Sequence, residues 1–259
     1  MSFDFNAYAQ VFPFLAIVLG LVLGSFYNVC VHRYLTEQSI VFPGSHCPQC
    51  DHPLAWYENI PIISFLFLAG RCRYCKASIR WRYPILEALS GLWSYALAIT
   101  FGPSLAYLLF MVIGGMYLVA SFIDLDSFIL PDIITYPAAV IAYLGSVFIL
   151  DASPVLSGAA AVAGAGLFYL LNLLYRLSRG FDGLGLGDVK LMVSIGALVQ
   201  LVGLPFSVLY ASLSALLVSP FFLIGKKNKS RTPIPFGPFL CLGAMLYILF
   251  GPGIFSFLR

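Results

Sequence analysis

Charged residues are scarce in this 259-residue sequence. They make up 10% of the chain, whereas about a quarter of the residues of a soluble domain are charged. Hydrophobic residues make up 61%, and they recur in runs close to the roughly 20 residues that a helix needs to cross a bilayer core. The composition therefore excludes an ordinary soluble domain and predicts an all-α, polytopic membrane protein.

The sequence also lacks a basic N-terminal segment and a long basic tract. Only Asp4 is charged before the first apolar run, so this run has no basic start of the kind found in cleaved signal peptides, and it is predicted to be a retained helix. Without a basic tract or aromatic residues interleaved in a polar groove, no nucleic-acid partner is expected. Membrane lipid is the expected surrounding.

The apolar runs predict about eight transmembrane helices. They lie at approximately Val11–Val31, Pro84–Phe101, Leu105–Ile123, Ile133–Leu150, Val155–Leu174, Val189–Val202, Leu204–Ile224 and Pro235–Phe255. The sixth run is the shortest, and it can merge with the seventh around Gly203 and Pro205. The predicted division is a transmembrane helix over residues 1–31, a polar soluble insert over 32–83 and a multi-helix membrane domain over 84–259.

Basic residues are distributed unevenly between the two sides of the predicted bundle. With eight crossings, the insert, the loop around residue 182 and the loop before the last run share one side. That side holds every lysine and arginine except Arg259. Because short cytoplasmic loops of membrane proteins carry an excess of basic residues, this side is predicted to be cytoplasmic, with both termini outside.

Four cysteines of the insert form two CxxC pairs, Cys47-Pro-Gln-Cys50 and Cys72-Arg-Tyr-Cys75. Two thiolates in each tight turn can hold one side of a tetrahedral ion, so the four cysteines predict a closed, structural zinc site. Two disulfides are the rival interpretation, but a cytoplasmic face is reducing. His46 and His52 are close enough in sequence to replace a cysteine ligand.

Several motifs of familiar enzymes are absent. The chain has only three histidines and no HExxH or GxSxG pattern, which argues against a metalloprotease and a serine hydrolase. It also has no GxGxxG or GxxxxGK[ST] loop for phosphate binding. Carboxylates are therefore the candidates for chemistry.

Acidic residues cluster at two points on the predicted cytoplasmic side. Asp124, Asp126 and Asp132 lie where the third run ends, and Asp188 closes the stretch Gly183-Leu-Gly-Leu-Gly-Asp188 before the sixth. A charge beside a membrane helix is costly and indicates a functional site, although a single carboxylate can equally mark a helix end. Two carboxylates from separate helices can share one proton and act as base and acid on a peptide bond. Asp124 and Asp126 face directions about 200° apart on a helix, so only one of them fits as the partner of Asp188.

Taken together, these motifs resemble those of the type IV prepilin peptidase family. The matching stretches are Gly24–Arg33, Ser45–Cys50, Trp56–Pro61, Gly70–Cys75, Arg82–Pro84, Ile123–Asp124 with Leu130–Asp132, Gly185–Asp188 and Ile234–Phe239. They cover nearly the whole chain. The resemblance implies an aspartyl protease of the GxGD type whose catalytic pair is Asp124 and Asp188, which selects Asp124 over Asp126.

The resemblance also implies a substrate, a methyl donor and a location. The substrate is a type IV prepilin or a type II secretion pseudopilin, cut after a glycine at the cytoplasmic face of the bacterial inner membrane. S-adenosylmethionine then donates a methyl group to the new N-terminal amine, and Cys47, Cys50, Cys72 and Cys75 match the family's four cysteines. No residue is assigned to S-adenosylmethionine. The polar residues that can either serve it or anchor the zinc module are Asn28, His32, Arg33 and Glu58.

Other classes of protein share some of these features. A transporter also places carboxylates in the membrane, but near the midplane and between repeated halves, and no repeat is evident. A zinc-bearing scaffold, or a methyltransferase without protease activity, predicts that Asp124 and Asp188 are dispensable for precursor processing. Candidate contacts for the basic leader are Asp51, Glu58, Asp126 and Asp182.

Overall fold

The computed structural model describes residues 5–180, 183–223 and 234–257. Within these residues no strand forms, and helices account for most of the chain, which confirms the all-α prediction. The long helices are α1 (Phe5–Leu35), α3 (Arg82–Phe101), α4 (Leu105–Ser127), α5 (Asp132–Phe148), α6 (Pro154–Arg179), α7 (Leu186–Leu223) and α8 (Gly237–Phe257). A 3-10 turn at Trp56–Asn59 and the short helix α2 (Ile63–Phe67) lie between α1 and α3.

Among the described residues, five helices are long and apolar enough to cross a membrane. They are α1, α3, α4, α6 and α7, while the apolar helices α5 and α8 are shorter. This confirms a polytopic membrane protein. The predicted sixth and seventh runs both lie in α7, which passes through Gly203 and Pro205 and has a non-helical residue, a kink, at Gln200. Gln200 has a φ of 61° and a ψ of 177°, a conformation that cannot continue a right-handed helix.

The chain packs as two compact units, Met1–Met111 and Val112–Arg259. In the first unit, α1 packs against α3. A Cβ atom on Gly20 would lie 2.5 Å from the carbonyl oxygen of Ser90. Glycine at this position therefore allows the backbones of α1 and α3 to approach each other closely. The division into a helix, an insert and a membrane domain by role stays a prediction.

In the second unit, α7 packs against α5, α6 and α8. Polar side chains join these helices inside the apolar bundle. The hydroxyl of Ser157 on α6 donates to the carbonyl oxygen of Ala197 on α7 at 3.0 Å, and the hydroxyls of Tyr117 on α4 and Ser194 on α7 are 2.9 Å apart. Such bonds fix the register of α4 and α6 against the central helix, because each polar group would otherwise be unsatisfied in an apolar interior.

Candidate active site and metal centre

Asp124 lies in the last turn of α4, and only 5% of it is exposed. Asp126 is exposed, as their positions on opposite sides of a helix require. The backbone N–H of Gly237, the first residue of α8, donates a hydrogen bond to the Asp124 carboxylate. The N-terminus of a helix favours negative charge. The start of α8 therefore holds the Asp124 carboxylate.

Asp188 lies in the first turn of α7, and 7% of it is exposed. Its carboxylate accepts a hydrogen bond from the backbone N–H of Gly185, and its own N–H donates to the Gly185 carbonyl at 3.1 Å. The stretch from Gly185 to Asp188 is thus a closed turn that places a carboxylate at the positive end of a helix.

Leu130 brings the two aspartate-bearing segments together. A Cβ atom on Gly187 would lie 2.8 Å from Leu130 Cβ, and one on Gly237 would lie 3.0 Å from both Leu130 methyl carbons. Glycine at these two positions leaves room for the leucine between the starts of α7 and α8. The Asp124 and Asp188 carboxylates are then close enough to interact electrostatically.

A pair of buried carboxylates can carry out acid and base chemistry. Neighbouring like charges resist double ionisation, so the pair favours holding one proton. One member then accepts a proton while the other donates one, within the same site. Asp124 and Asp188 come from separate helices. A third helix, α8, contributes the buried Cys241, which is near enough to interact electrostatically with both aspartates.

Asp132, the third acidic residue of the predicted cluster, has a different setting. It lies in the first turn of α5, its side chain is 56% exposed, and it forms an ion pair with Lys190 Nζ at 2.6 Å. An exposed ion pair contributes about 0–1 kcal/mol to stability. Asp132 therefore joins α5 to α7 at the surface and does not belong to the buried pair.

Asn172 is a polar residue of this site that the sequence did not single out. It lies in α6, is 6% exposed, and its Oδ1 accepts the backbone N–H groups of Gly183 and Leu184, each at 3.0 Å. These residues begin the glycine-rich stretch that ends at Asp188. An amide near the end of the apolar run Val155–Leu174 was the available signal, because polar side chains in membrane helices are costly.

The four cysteines of the insert form a single cluster. All four Sγ atoms lie within 4.8 Å of one another, and within the described part of the chain this is the group of residues suited to hold a metal ion. The sulfurs of Cys47 and Cys75 are 3.8 Å apart. With Zn–S bonds of about 2.3 Å, tetrahedral geometry places ligand sulfurs about 3.8 Å apart. The cluster therefore fits zinc, and His46 and His52 are not part of it.

The two halves of this centre repeat the same backbone turn. In the first, the N–H of Asp51 donates to the Cys47 carbonyl, and in the second the N–H of Lys76 donates to the Cys72 carbonyl. Asp51 and Lys76 each follow a CxxC pair with a positive φ, 53° and 59°. In the second turn, the backbone N–H groups of residues 75 and 74 lower the pKa of the Cys72 thiol to about 7, towards the thiolate that binds metals.

The other polar residues considered for the insert have separate settings. Arg33 at the end of α1 donates to the carbonyl oxygens of Ser39, Pro43 and Gly44, so it anchors the segment that leads to the first cysteine pair. Of the candidate leader contacts, Asp51 is exposed like Asp126, whereas the Glu58 side chain is buried. Asp182 lies outside the described residues.

The fold and these two centres define a class: a polytopic helical membrane protein with a buried aspartate pair and a four-cysteine cluster suited to a metal ion. Residues 18–101 match the Bacterial Peptidase A24 N-terminal domain. Residues 109–219 match the Type IV leader peptidase family. The two matches meet close to the boundary between the two compact units.

Several similar proteins share the name prepilin leader peptidase/N-methyltransferase. The Aeromonas hydrophila protein is 33% identical over 93% of this chain and 91% of its own length. The proteins of Burkholderia pseudomallei and Pseudomonas aeruginosa are 34% and 33% identical, over 91% and 94% of this chain and 84% and 92% of their own lengths. No solved structure matches the chain. The chain therefore belongs to the type IV leader peptidase family.

Proposed function

We propose that this protein removes the leader of a type IV prepilin or a type II secretion pseudopilin and then methylates the new N-terminal residue. The observation that carries the proposal is the buried pair of carboxylates, Asp124 and Asp188, at the ends of two apolar helices. The name of the similar proteins, prepilin leader peptidase/N-methyltransferase, supports both activities.

In the cleavage step, Asp124 and Asp188 act on a water molecule and on the peptide bond after the leader. The ionised aspartate takes a proton from water as the water oxygen attacks the carbonyl carbon, and the protonated aspartate gives its proton to the carbonyl oxygen. The carbonyl group then re-forms and the C–N bond breaks. One aspartate takes back a hydroxyl proton, and the other protonates the departing amine, so the pair again holds one proton.

In the second step, a methyl group moves from S-adenosylmethionine to the neutral N-terminal amine. The S–C bond breaks with its electron pair left on sulfur, the nitrogen lone pair forms the N–C bond, and the amine releases a proton to water. The insert over residues 32–83 serves this reaction, with zinc held by the four cysteines as a structural ion. Residues 1–31 form a membrane helix, and residues 84–259 form the protease domain.

The protein lies in the bacterial inner membrane, with the insert and the aspartate pair at the cytoplasmic face. The support for this orientation is the distribution of basic residues, all of which except Arg259 fall on one side of the predicted bundle. The apolar helix of the precursor then lies beside the bundle, and its leader junction lies at the membrane surface. Lipid surrounds the helices, and nucleic acid has no part.

Co-expression of the chain with a prepilin in a host that lacks a prepilin peptidase tests both activities. The expected product is a shortened pilin whose mass also shows one added methyl group, measured by intact-protein mass spectrometry. Cleaved but unmethylated pilin would contradict the methyl-transfer half. Methylation of a supplied mature pilin without any cleavage of the precursor would favour the methyltransferase-only alternative.

Loss of one metal-binding thiol is expected to remove the zinc. In Cys47→Ser, the zinc content of the purified protein should fall from one ion per chain to near zero, because a closed four-sulfur site needs all its ligands. Methyl transfer should fall on the order of tenfold or more, since the turns around the ion form the insert. Zinc is measured by elemental mass spectrometry. Cys30→Ser, which changes a cysteine of α1 outside the cluster, is the matched control, and zinc retained by Cys47→Ser would contradict the assignment.

Asn172→Leu is expected to slow leader cleavage about tenfold or more at unchanged membrane levels. The change keeps the branching of the side chain at Cγ but removes both hydrogen bonds to the stretch before Asp188. Each such bond contributes about 0.5–1.5 kcal/mol, and about 1.4 kcal/mol is a tenfold change in rate. Cleavage by purified enzyme measures the effect. Ser178→Ala is the control, because that exposed hydroxyl bonds only within its own helix turn. Parental cleavage by Asn172→Leu would show that the loop does not need this support.

A further inference from the structure

The first compact unit contains a cavity that the aspartate pair and the zinc centre leave unexplained. It has a volume of about 380 Å³ and is lined by residues from the end of α1, the insert and the start of α3. Sites for small organic molecules in proteins are about 300–1,000 Å³ and are apolar, with a few placed polar groups. Cys47 and Cys72 lie on one wall, so the cavity adjoins the metal centre.

Glu58 presents an unpartnered carboxylate oxygen in this wall. Its side chain is 3% exposed. The Oε2 atom accepts the backbone N–H of Ala55 at 2.9 Å, but Oε1 has no hydrogen-bond partner among the described residues. Arg73 Nη1 is 3.9 Å from it, beyond hydrogen-bond distance. Apart from this long ion pair, the buried Oε1 atom has no hydrogen bond to offset the cost of its burial, so this wall is suited to a ligand that carries positive charge or hydrogen-bond donors.

Glu87 also lines the cavity. Its Oε2 atom accepts the backbone N–H of Ile62 at 2.7 Å. Ile62 has a φ of 60°, in the left-handed region that a β-branched residue rarely adopts. Strained backbone of this kind is maintained where the surrounding structure fixes it, often beside a ligand. Glu87 therefore shapes the cavity, in a helix whose apolar character makes a carboxylate costly.

The remaining lining combines cations with apolar side chains. Arg80 and Arg82 supply positive charge, and Ile60, Phe65 and Ile79 supply an apolar surface. S-adenosylmethionine has three matching parts: an adenine ring that is largely apolar on its faces, an amino-acid carboxylate, and a cationic sulfonium with a nearby ammonium group. The lining contains a partner for each part.

Resting on the methyl-transfer half of the proposed function, we propose that this cavity binds S-adenosylmethionine, with the Glu58 carboxylate recognising the cationic part of the ligand. Arg80 and Arg82 face its carboxylate, and the apolar wall receives the adenine. This site lies beside the zinc centre, so the metal holds the wall of the cavity in place and takes no part in the methyl transfer itself.

Binding of S-adenosylmethionine to the full-length protein in detergent, measured by isothermal titration calorimetry, tests this site. Glu58→Gln is expected to raise the Kd on the order of tenfold or more, because it removes the negative charge and keeps the shape. Ala77→Phe, at another lining position, is expected to weaken binding by a similar factor by filling the cavity. Both variants should retain their zinc. Glu37→Gln is the matched control, since it makes the same charge change at an exposed residue outside the lining.

Parental Kd values in both Glu58→Gln and Ala77→Phe would overturn the cavity assignment. Methyl transfer by the parent protein to a mature pilin, assayed alongside, separates two kinds of failure. If the parent methylates the pilin and both variants bind S-adenosylmethionine with the parental Kd, the methyl donor binds elsewhere and the proposed function stands. If the parent neither binds S-adenosylmethionine nor methylates, the methyl-transfer function and the cavity assignment fail together.

Discussion

Asp124→Asn and Asp188→Asn are each expected to abolish leader cleavage, with rates reduced by roughly 10⁴-fold or more. Asparagine keeps the size of the side chain but neither accepts nor donates the proton that the reaction requires. Both residues are buried in the same interior, 5% and 7% exposed, so no bulk water replaces the lost group. Methylation of an already mature pilin should continue in both variants, because the residues proposed to bind the methyl donor lie in the insert.

Cleavage rates measured with purified enzyme and a synthetic prepilin should also show that the two aspartates act as one unit. The double variant is expected to be no slower than either single variant, since groups that share one task lose about as much singly as together. Asp132→Asn is the control, because that residue lies in an exposed ion pair with Lys190. Losses in the single variants that multiply in the double variant would indicate two independent roles.

Gly237→Ala is expected to lower the cleavage rate on the order of 100-fold while the protein still accumulates in the membrane. The added Cβ would lie 2.7 Å from Asp124 Oδ2 and 3.0 Å from the Leu130 methyl carbons. These atoms are the ends of flexible side chains, so the fold can adapt, but one of the atoms that must move belongs to the carboxylate proposed to be catalytic. A displacement of about 1 Å from the reactive geometry can cost about 100-fold in rate.

Gly166→Ala provides the matched control for Gly237→Ala. It adds the same methyl group to a helix of the same unit, at a position where the new Cβ would have no atom within 4 Å. Cleavage of the prepilin over a range of enzyme concentrations separates a slow enzyme from a scarce one. If Gly237→Ala cleaved at the parental rate, the contact between α8 and Asp124 would have no part in positioning the carboxylate.

The sequence predicted the two centres better than the parts that support them. Helix periodicity showed that Asp124 and Asp126 point in opposite directions, and only the resemblance to a family selected Asp124. In the structure the two residues do point in different directions, because Asp124 is buried and Asp126 is exposed. The CxxC spacing predicted the cysteine cluster directly, since two tight turns can meet only around a shared centre.

Long-range contacts were harder to predict. Asn172 and Glu87 are single polar residues in apolar runs, which marks them as costly but does not say what they bond to. Their partners, the N–H groups of Gly183, Leu184 and Ile62, are distant in sequence or belong to loops. Likewise, the sixth and seventh apolar runs were predicted to be able to merge around residues 203 to 205, and they do lie in one helix, but its non-helical residue is Gln200, which has no local preference that would mark it in the sequence.

Leader cleavage by membranes that contain equal amounts of the parent protein, Asp124→Asn, Asp126→Asn or Asp188→Asn tests the central claim most directly. The same prepilin is supplied to each, and the cleaved fraction is read by gel shift and mass spectrometry. We expect the precursor to stay intact with Asp124→Asn and Asp188→Asn and to be processed with Asp126→Asn. Processing by all three variants would contradict it, and a zinc-bearing scaffold or a methyltransferase without protease activity would take its place.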